Sequence, residues 1–322
     1  MQLRRIAASA LAVSTVMLGA ACAGDDLASD DAEGGSGSGS GSGGGDKGTV
    51  NISGQDFGEV QIVASMYEQL LDAEGYDVSV TLVGTRDVYM GAGQFPDSVQ
   101  LVPEYVGGIV DFLNTTENGP DAEALTTPDA DESVEAASSL LEGKGITLLD
   151  PSAAVDTNAF FVTQEYSDAE GVTKLSDLEG QSVVVAGSED CADRQDCGKG
   201  LTDDYGIDVT EFLPLGFASA DVFKSVLDDE AQLGLTSTTD GTLESQGLVL
   251  LEDDKQIQPA QNLIPAVSSE WLADHEDVEG VLNDLMAALT TEKLTELNGQ
   301  VSVDRMKPNE VATEFLESEG LI

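Results

Sequence analysis

The chain has 322 residues, of which 61 are Asp or Glu and only 13 are Lys or Arg, so its formal charge at pH 7 is −48. This charge repels nucleic-acid phosphates and excludes nucleic acid as a partner. It also repels anionic lipid headgroups, so we expect no membrane binding by the globular surface itself. Solubility outside the cell, in a saline habitat where ions screen the self-repulsion, is the simplest explanation of the excess acid.

The first 21 residues predict an export signal. Two arginines precede an apolar run over residues 6–18, and the small residues 19–21 come directly before Cys22. The run is too short to span a bilayer. The segment resembles the signal of bacterial lipoproteins, which implies that Cys22 receives lipid and becomes the mature N-terminus. An ordinary cleaved signal is the alternative, since the lipoprotein pattern has leucine three residues before the cysteine and Leu18 lies four before it.

Glycine and serine alone occupy residues 34–45, so we expect residues 22–48 to be a flexible tether. Removal of residues 1–21 takes away two arginines and no acid, which changes the formal charge from −48 to −50. A tether behind a lipid anchor indicates a domain that works outside the cytoplasm beside the membrane, attached through the anchor only.

Helical and strand patterns alternate in the remainder, which predicts an α/β fold. Residues 77–83 and 181–186 have strand patterns, and an amphipathic helix precedes the first of them. The apolar positions of this helix are Val60, Val63, Met66, Tyr67, Leu70 and Leu71. The C-terminal third predicts further amphipathic helices, with apolar positions at Leu282, Leu285, Met286, Leu289, Leu294, Leu297 and 311–316. The 275 residues from 48 to 322 exceed the ~100–150 residues of a typical single core, and they suit two lobes.

In open α/β sheets, ligands bind beyond the carboxyl ends of the strands. The loops after Val83, Val102 and Ala186 are therefore the first places to look for a site.

Enzymatic motifs are absent from the sequence. The only histidine, His275, lies in a run typical of a solvated helix, and there is no nucleophile elbow, phosphate-binding loop or Cys/His zinc cluster. Residues 128–132 lack the spacing of a calcium loop and predict a charged helix start. We therefore expect neither an enzyme nor a metal or cofactor site.

Several short stretches together resemble the substrate-binding proteins of bacterial ABC importers for glycine betaine, choline and carnitine. They run in the family's order from about residue 50 to the C-terminal helices. The stretches are Gly54-Gln-Asp-Phe-Gly-Glu-Val, Gly84-Thr-Arg-Asp-Val-Tyr, Leu101-Val-Pro-Glu-Tyr-Val-Gly, Thr238-Thr-Asp-Gly, Leu251-Glu-Asp-Asp-Lys, Gln258-Pro-Ala-Gln-Asn-Leu-Ile-Pro and Leu294-Thr-Glu-Leu-Asn.

The resemblance implies a two-lobed, periplasmic-binding-protein-like α/β fold with a hinge, in which the ligand is enclosed as the lobes close. It implies a small zwitterionic or quaternary-ammonium ligand and an ABC permease as partners, and we expect a monomer. The same match predicts that residues 49–156 and 264–322 form the first lobe and residues 157–263 the second.

The resemblance also gives a role to the segment around Arg194. In the family, an arginine after the first strand of the second lobe grips the ligand carboxylate, and Arg194-Gln-Asp followed by Gly198-Lys-Gly resembles that pattern. Its planar guanidinium can make two charge-assisted bonds to one carboxylate. With Cys22 lipidated, Cys191 and Cys197 are the remaining pair in an exported chain, so we expect a disulfide around this arginine rather than two free thiols. The alternative is an exposed arginine that neutralises the neighbouring acids.

A quaternary ammonium cannot donate hydrogen bonds and is recognised through aromatic ring faces. Tyr105 lies at one box position of the family, whereas the matching places elsewhere hold Asn158, Ser237 and Gln261. This departure leaves the box incomplete. Rings from other parts of the chain could complete it, and the remaining candidate contacts lie inside the quoted stretches. The ring candidates are Phe57, Tyr89 and Phe160, and the further contacts are Gln55, Thr238 and Asn262.

Two functional hypotheses remain. The first is a solute-binding lipoprotein that delivers its ligand to a permease, either a zwitterion of the betaine type or another polar solute such as an amino acid. The second is a sensor module of the same fold that presents its closed form to a membrane receptor.

Overall fold

The computed structural model describes residues 47–322. The predicted signal, Cys22 and most of the predicted tether lie outside the described residues. Two mixed five-stranded sheets, each covered by helices, form the two lobes of an α/β fold. No helix within residues 47–322 has the length and apolar character needed to cross a membrane.

The first lobe is built on a sheet of strand order β2-β1-β3-β10-β4. Strand β1 is parallel to β2 and β3, whereas β10 is antiparallel to β3 and β4. The strands are β1 (Thr49–Gln55), β2 (Asp77–Val83), β3 (Leu101–Tyr105), β4 (Ile146–Leu148) and β10 (Leu263–Ser268). Because β10 follows all strands of the other sheet in sequence, the chain leaves this lobe and later returns to it.

The second lobe is built on a sheet of strand order β7-β6-β8-β5-β9. Strand β6 is parallel to β7 and β8, and β5 is antiparallel to β8 and β9. The strands are β5 (Asn158–Thr163), β6 (Ser182–Gly187), β7 (Asp208–Pro214), β8 (Leu233–Ser237) and β9 (Leu248–Leu251).

Helices cover both sheets. They are α1 (Gly58–Ala73), α2 (Arg86–Tyr89), α3 (Val106–Asn118), α4 (Ala130–Lys144), α5 (Gln164–Glu170), α6 (Ala220–Leu227), α7 (Ser269–Ala273), α8 (Asp277–Ala288), α9 (Thr291–Ser302) and α10 (Pro308–Glu319). The apolar face of α1 is buried against α8, α9 and α10 in the main core of the first lobe. Helix α10 begins at Pro308, whose missing N–H would be unpaired at that position in any case, and ends before Gly320 in the left-handed conformation.

The two crossings between the lobes run side by side. The Asp156 N–H donates to the Gln261 carbonyl at 3.0 Å, and the Leu263 N–H donates to the Ala154 carbonyl at 3.0 Å. These paired segments connect the sheets and form the hinge. The residue limits predicted for the lobes stay a prediction, which this pairing supports.

Several local predictions are confirmed. The strand at 77–83 is β2, the strand at 181–186 is β6 shifted by one residue, and the C-terminal helices are α8, α9 and α10. The acidic stretch at 128–132 starts α4, where the Asp129 side chain accepts from the Glu132 N–H. The helical assignment of His275 is wrong, since this residue lies between α7 and α8 with its ring stacked on Trp271 at 4.3 Å.

Candidate ligand-binding cleft

A cavity of about 320 Å³ lies where the two lobes meet. Its size is at the lower end of the ~300–1,000 Å³ that small-molecule sites occupy. The first lobe and the hinge contribute Phe57, Gly58, Glu59, Asp156, Asn298, Val301 and Ser302, and the second lobe contributes Phe217, Ala218, Phe223, Thr236, Ser237, Thr239, Asp240, Gly241 and Thr242. We call this space the interlobe cavity.

Strand ends place most of these residues. Residues 57–59 follow β1 at the start of α1, residues 217 and 218 follow β7, and residues 236–242 end and follow β8. The general expectation for strand ends holds, but the loops expected after Val83, Val102 and Ala186 do not line this cavity. Strand β3 also continues to Tyr105, beyond its predicted end at Val102.

Three phenylalanine rings line the cavity. Phe57 is 38% exposed and stacks on Tyr105 with ring centroids 6.4 Å apart, while Tyr105 itself is buried. Across the cavity, Phe223 stacks on Phe161 at 5.1 Å, and Phe217 is 49% exposed. Because exposed aromatic faces are costly in water, two such rings at one cavity indicate a surface made for a ligand.

The loop that carries Phe217 has unusual backbone geometry. Ala218 has a φ of +46°, a region that residues with a side chain rarely adopt. Ser219 follows as the cap of α6, where its hydroxyl accepts from the Val222 N–H. This cap and the Ala218 turn fix the backbone that follows Phe217, which lines the cavity.

Glu59 is the most buried acid of the cavity, with 4% of its surface exposed. Its carboxyl oxygens accept from the Tyr105 hydroxyl at 2.5 Å and the Asn298 side-chain amide at 2.6 Å. Burial, together with the nearby charge of Asp156, raises the pKa of Glu59 to about 7. This carboxyl therefore exchanges its proton near neutral pH.

Asp156 lies on the hinge and accepts from the Thr239 hydroxyl at 3.0 Å. Burial also raises the pKa of its carboxyl. Asp240 supplies a third carboxylate, which accepts from Thr236 and Thr242 in the loop after β8. Within the described part of the chain, no Lys, Arg or His lines the interlobe cavity.

The segment around Arg194 contains the expected disulfide between Cys191 and Cys197, both fully buried. Arg194 Nε donates to Asp196 Oδ1 at 2.9 Å, and a second guanidinium nitrogen lies 3.4 Å from Asp190. The bond to Asp196 raises the pKa of the arginine. This arrangement is the one that the alternative hypothesis describes, an arginine that neutralises neighbouring acids. A grip on a ligand carboxylate stays a prediction for Arg194, and it would require exchange of Asp196 for the ligand.

Asn158 and Tyr89 are engaged in other contacts. Asn158 Nδ2 donates to the carboxylate of Asp196 at 2.8 Å. Tyr89 is 2% exposed, its hydroxyl donates to Glu104, and burial raises its pKa. Arg86 also binds Glu104 through two nitrogens, each at 2.9 Å. Tyr89 and Arg86 therefore donate the hydrogen bonds that satisfy the buried Glu104 carboxylate in the first lobe.

The remaining predicted contacts lie at or near the hinge. The Thr238 hydroxyl donates to the Val155 carbonyl at 2.5 Å, and Asn262 Nδ2 donates to the Ser152 carbonyl at 2.8 Å. Gln261 Oε1 accepts from the Gly108 N–H at 3.0 Å. Gln55 ends β1 at the entrance to the turn that carries Phe57, and Phe160 is buried in the second-lobe core. Of all predicted site residues, Phe57 and Ser237 line the interlobe cavity directly.

Sequence reasoning missed several residues that build this cavity. Glu59 and Asn298 lie inside the family-like stretches, but their sequence context predicts no contact for them, and Asp156 is predicted only as a lobe limit. Phe217 and Phe223 lie outside those stretches. The sequence could have indicated them, because two of the chain's nine phenylalanines lie within four residues of Ser219, the cap of α6, in a protein with few aromatic residues.

A larger cavity of about 870 Å³ lies between α9 and residues 240–250 of the second lobe. Its walls are acidic, polar and aliphatic, and within residues 47–322 no aromatic ring lines it. Gly241 lies at both cavities, where its backbone touches Gly299 of α9. The smaller cavity therefore has the better chemistry for an organic ligand, since ligand sites are typically lined with apolar and aromatic groups.

Residues 48–318 match the family described as the substrate-binding domain of ABC-type glycine betaine transport systems. The chain belongs to this family. A glycine-betaine-binding protein of Pseudomonas aeruginosa is 27% identical over 285 residues, which cover 85% of this chain and 89% of that protein. The carnitine transport binding protein OpuCC of Listeria monocytogenes is 24% identical over 84% of this chain and 87% of its own length.

The fold agrees with this membership. A crystal structure described as a glycine betaine/carnitine/choline ABC transporter aligns with a TM-score of 0.72 at 21% identity and covers 85% of this chain and 98% of its own. The protein is thus an extracytoplasmic solute-binding protein of an ABC importer, with a small ligand and a membrane permease as partners. It is not an enzyme, and family membership does not favour the sensor hypothesis.

Proposed function

We propose that this protein captures a small quaternary-ammonium solute, such as glycine betaine, carnitine or choline, in the interlobe cavity and delivers it to the permease. The observation that carries the proposal is the set of three phenylalanine rings that face one cavity from both lobes. Ring faces attract a methylated ammonium group, and each contact contributes ~0.5–2 kcal/mol. The names of the relatives support the same class of ligand.

Closure of the lobes is part of the proposal. Phe57 belongs to the first lobe, whereas Phe217 and Phe223 belong to the second, so a ligand that contacts all three must bridge the cleft. Such a ligand stabilises the closed form because it binds that form better than the open one.

Attachment to the membrane through lipid on Cys22 is a further proposal, and it rests on the sequence alone. Cells grown with labelled fatty acid should incorporate the label into this protein, and conversion of Cys22 to alanine should abolish the incorporation. If the unmodified protein takes up no label, the N-terminal segment is an ordinary cleaved signal. We propose a monomer, which the native mass of the detergent-solubilised full chain would test.

Ligand-induced thermal stabilisation of the full-length protein, solubilised in mild detergent, tests the proposed function. A solute that binds only the folded form raises the melting temperature by mass action. We expect stabilisation by at least one of choline, carnitine and glycine betaine, and none by glycine or proline at equal concentration. Stabilisation by amino acids alone would refute the proposed ligand class.

A matched pair of variants locates the binding. Phe217→Ala removes an exposed ring of the cavity and should weaken solute binding ~2- to 30-fold, the equivalent of one cation–π contact. Val88→Ala removes an exposed apolar side chain of the first lobe that does not line the cavity, and it should leave affinity unchanged. Equal effects of the two changes would place the site elsewhere.

A further inference from the structure

The ionisable groups that line the interlobe cavity are all acidic. Glu59, Asp156 and Asp240 line it, and within residues 47–322 no basic side chain lines it. The neighbouring groups do not offset this charge, since they are the hydroxyls of Tyr105 and Thr239 and the amide of Asn298. The cavity is therefore suited to a positive group.

Arg86 and Arg194 lie in family-like stretches, do not line the cavity, and are already paired with protein carboxylates. Arg86 binds Glu104 through two nitrogens, and Arg194 binds Asp196 and lies near Asp190. The first group is neutral overall, and the second carries one more negative charge than positive. A ligand carboxylate could recruit either arginine only if it displaced a protein carboxylate from the same guanidinium.

We propose that the cavity selects an organic cation without a carboxylate, such as choline, over a zwitterion such as glycine betaine. This inference rests on the proposed function and narrows its ligand class. A trimethylammonium group gains from the rings of Phe57, Phe217 and Phe223 and from the carboxylates that line the same cavity. The carboxylate of glycine betaine would leave water and face like charges, which is a standard means of rejecting a wrong ligand.

Titration calorimetry of the full-length protein in mild detergent provides the test. The three probes are choline, glycine betaine and the neutral carbon isostere of choline, in which a quaternary carbon replaces the nitrogen. Choline and glycine betaine share the trimethylammonium group, and choline and its isostere share the shape. We expect choline to bind at least ~10-fold more tightly than either of the other two.

Two variants connect the selectivity to the carboxylates. Asp156→Asn and Glu59→Gln each keep the shape of the side chain and remove its charge, so each should reduce choline affinity ~10-fold and leave the isostere unchanged. Glu135→Gln changes an exposed glutamate on α4 and should alter neither ligand. Thermal unfolding of each variant checks its fold, and the comparison of probes on the unmodified protein stands without any variant.

The outcomes are distinguishable. Glycine betaine binding as tightly as choline, or more tightly, would overturn the inference and leave the proposed function standing. Equal binding of choline and its isostere would show selection by shape alone and would also overturn it. If no trimethylammonium solute binds, both the proposed function and the inference fail.

Discussion

Gly241 lies where an added side chain would meet backbone atoms of the other lobe. An added Cβ would lie 2.3 Å from the Gly299 nitrogen and 2.4 Å from the Thr295 carbonyl oxygen. Both atoms belong to the backbone of α9 in the first lobe, whereas Gly241 follows β8 in the second. A rotamer change cannot relieve such a contact, so Gly241→Ala must move the loop and α9 apart.

The size of the effect follows from that distance. Ordinary contacts of a Cβ atom begin near 3.4 Å, so the two backbones must separate by about 1 Å. Overpacking of a methyl group typically costs ~1–3 kcal/mol. For a chain of this length, each kcal/mol lowers the melting temperature by ~2–4 °C. We therefore expect Gly241→Ala to lower the melting temperature by ~2–12 °C and to weaken ligand binding, because the contact joins the lobes beside the interlobe cavity.

Two other glycines act as controls in the same thermal unfolding assay. Gly280 is exposed on α8 with open space where an added methyl group would lie, so Gly280→Ala should stabilise the protein by ~0.5–1 kcal/mol through helix propensity. The Cβ of Gly299→Ala would lie 3.3 Å from the Gly241 carbonyl oxygen. The small strain of this contact should roughly cancel the stability gained from the higher helix propensity of alanine. If Gly241→Ala melts as the unmodified protein does, the lobes do not meet there in solution and the reasoning is refuted.

Three further predictions concern charge and covalent structure. Glu104→Gln should lower the free energy of unfolding by ~3–5 kcal/mol, because Glu104 is fully buried and the change leaves Arg86 without a counter-charge. Glu310→Gln changes an exposed residue and should not alter the melting temperature, so equal melting of the two variants would contradict this prediction. Removal of the Cys191–Cys197 disulfide by a double alanine substitution should cost at least ~2 kcal/mol, as expected for so short a loop, and unchanged denaturant midpoints would refute it. Choline affinity should rise with pH up to about 7 and then level off, because burial raises the pKa of Glu59 to about 7 and the free protein must release this proton to bind a cation. Calorimetry from pH 5.5 to 8.5 would measure the rise, and a flat profile would exclude Glu59 as a contact.

Local sequence patterns predicted those elements whose residues decide their own conformation. The strand at 77–83 and the helix before it have their periodicity within about 25 residues, and both form as expected. The charged start of α4 was also readable, because Asp129 caps a helix whose first turn is acidic. Such features need no information about the rest of the fold.

The residues that line the interlobe cavity could not be predicted from local sequence patterns. Glu59 meets Asn298 across 239 positions of sequence, and Thr239 meets Asp156 across 83. Nothing local distinguishes Glu59 from the many other acids of the chain until the fold buries it. Tyr89 shows the converse, since its ring suggested a ligand contact and the fold gives its hydroxyl to Glu104.

The excess of acid therefore has two physically different parts. Most carboxylates are exposed to solvent, where ions screen them and each has little effect on any one ligand. Glu59 and Asp156 are largely withdrawn from water, where a charge is screened less and acts more strongly on a bound group than a surface charge does. The net charge of the chain excludes nucleic acid as a partner, but it does not distinguish the exposed carboxylates from those in the cavity. The separation depends on which few acids the fold places in one cavity with aromatic rings, and we expect the ligand to be selected through those acids.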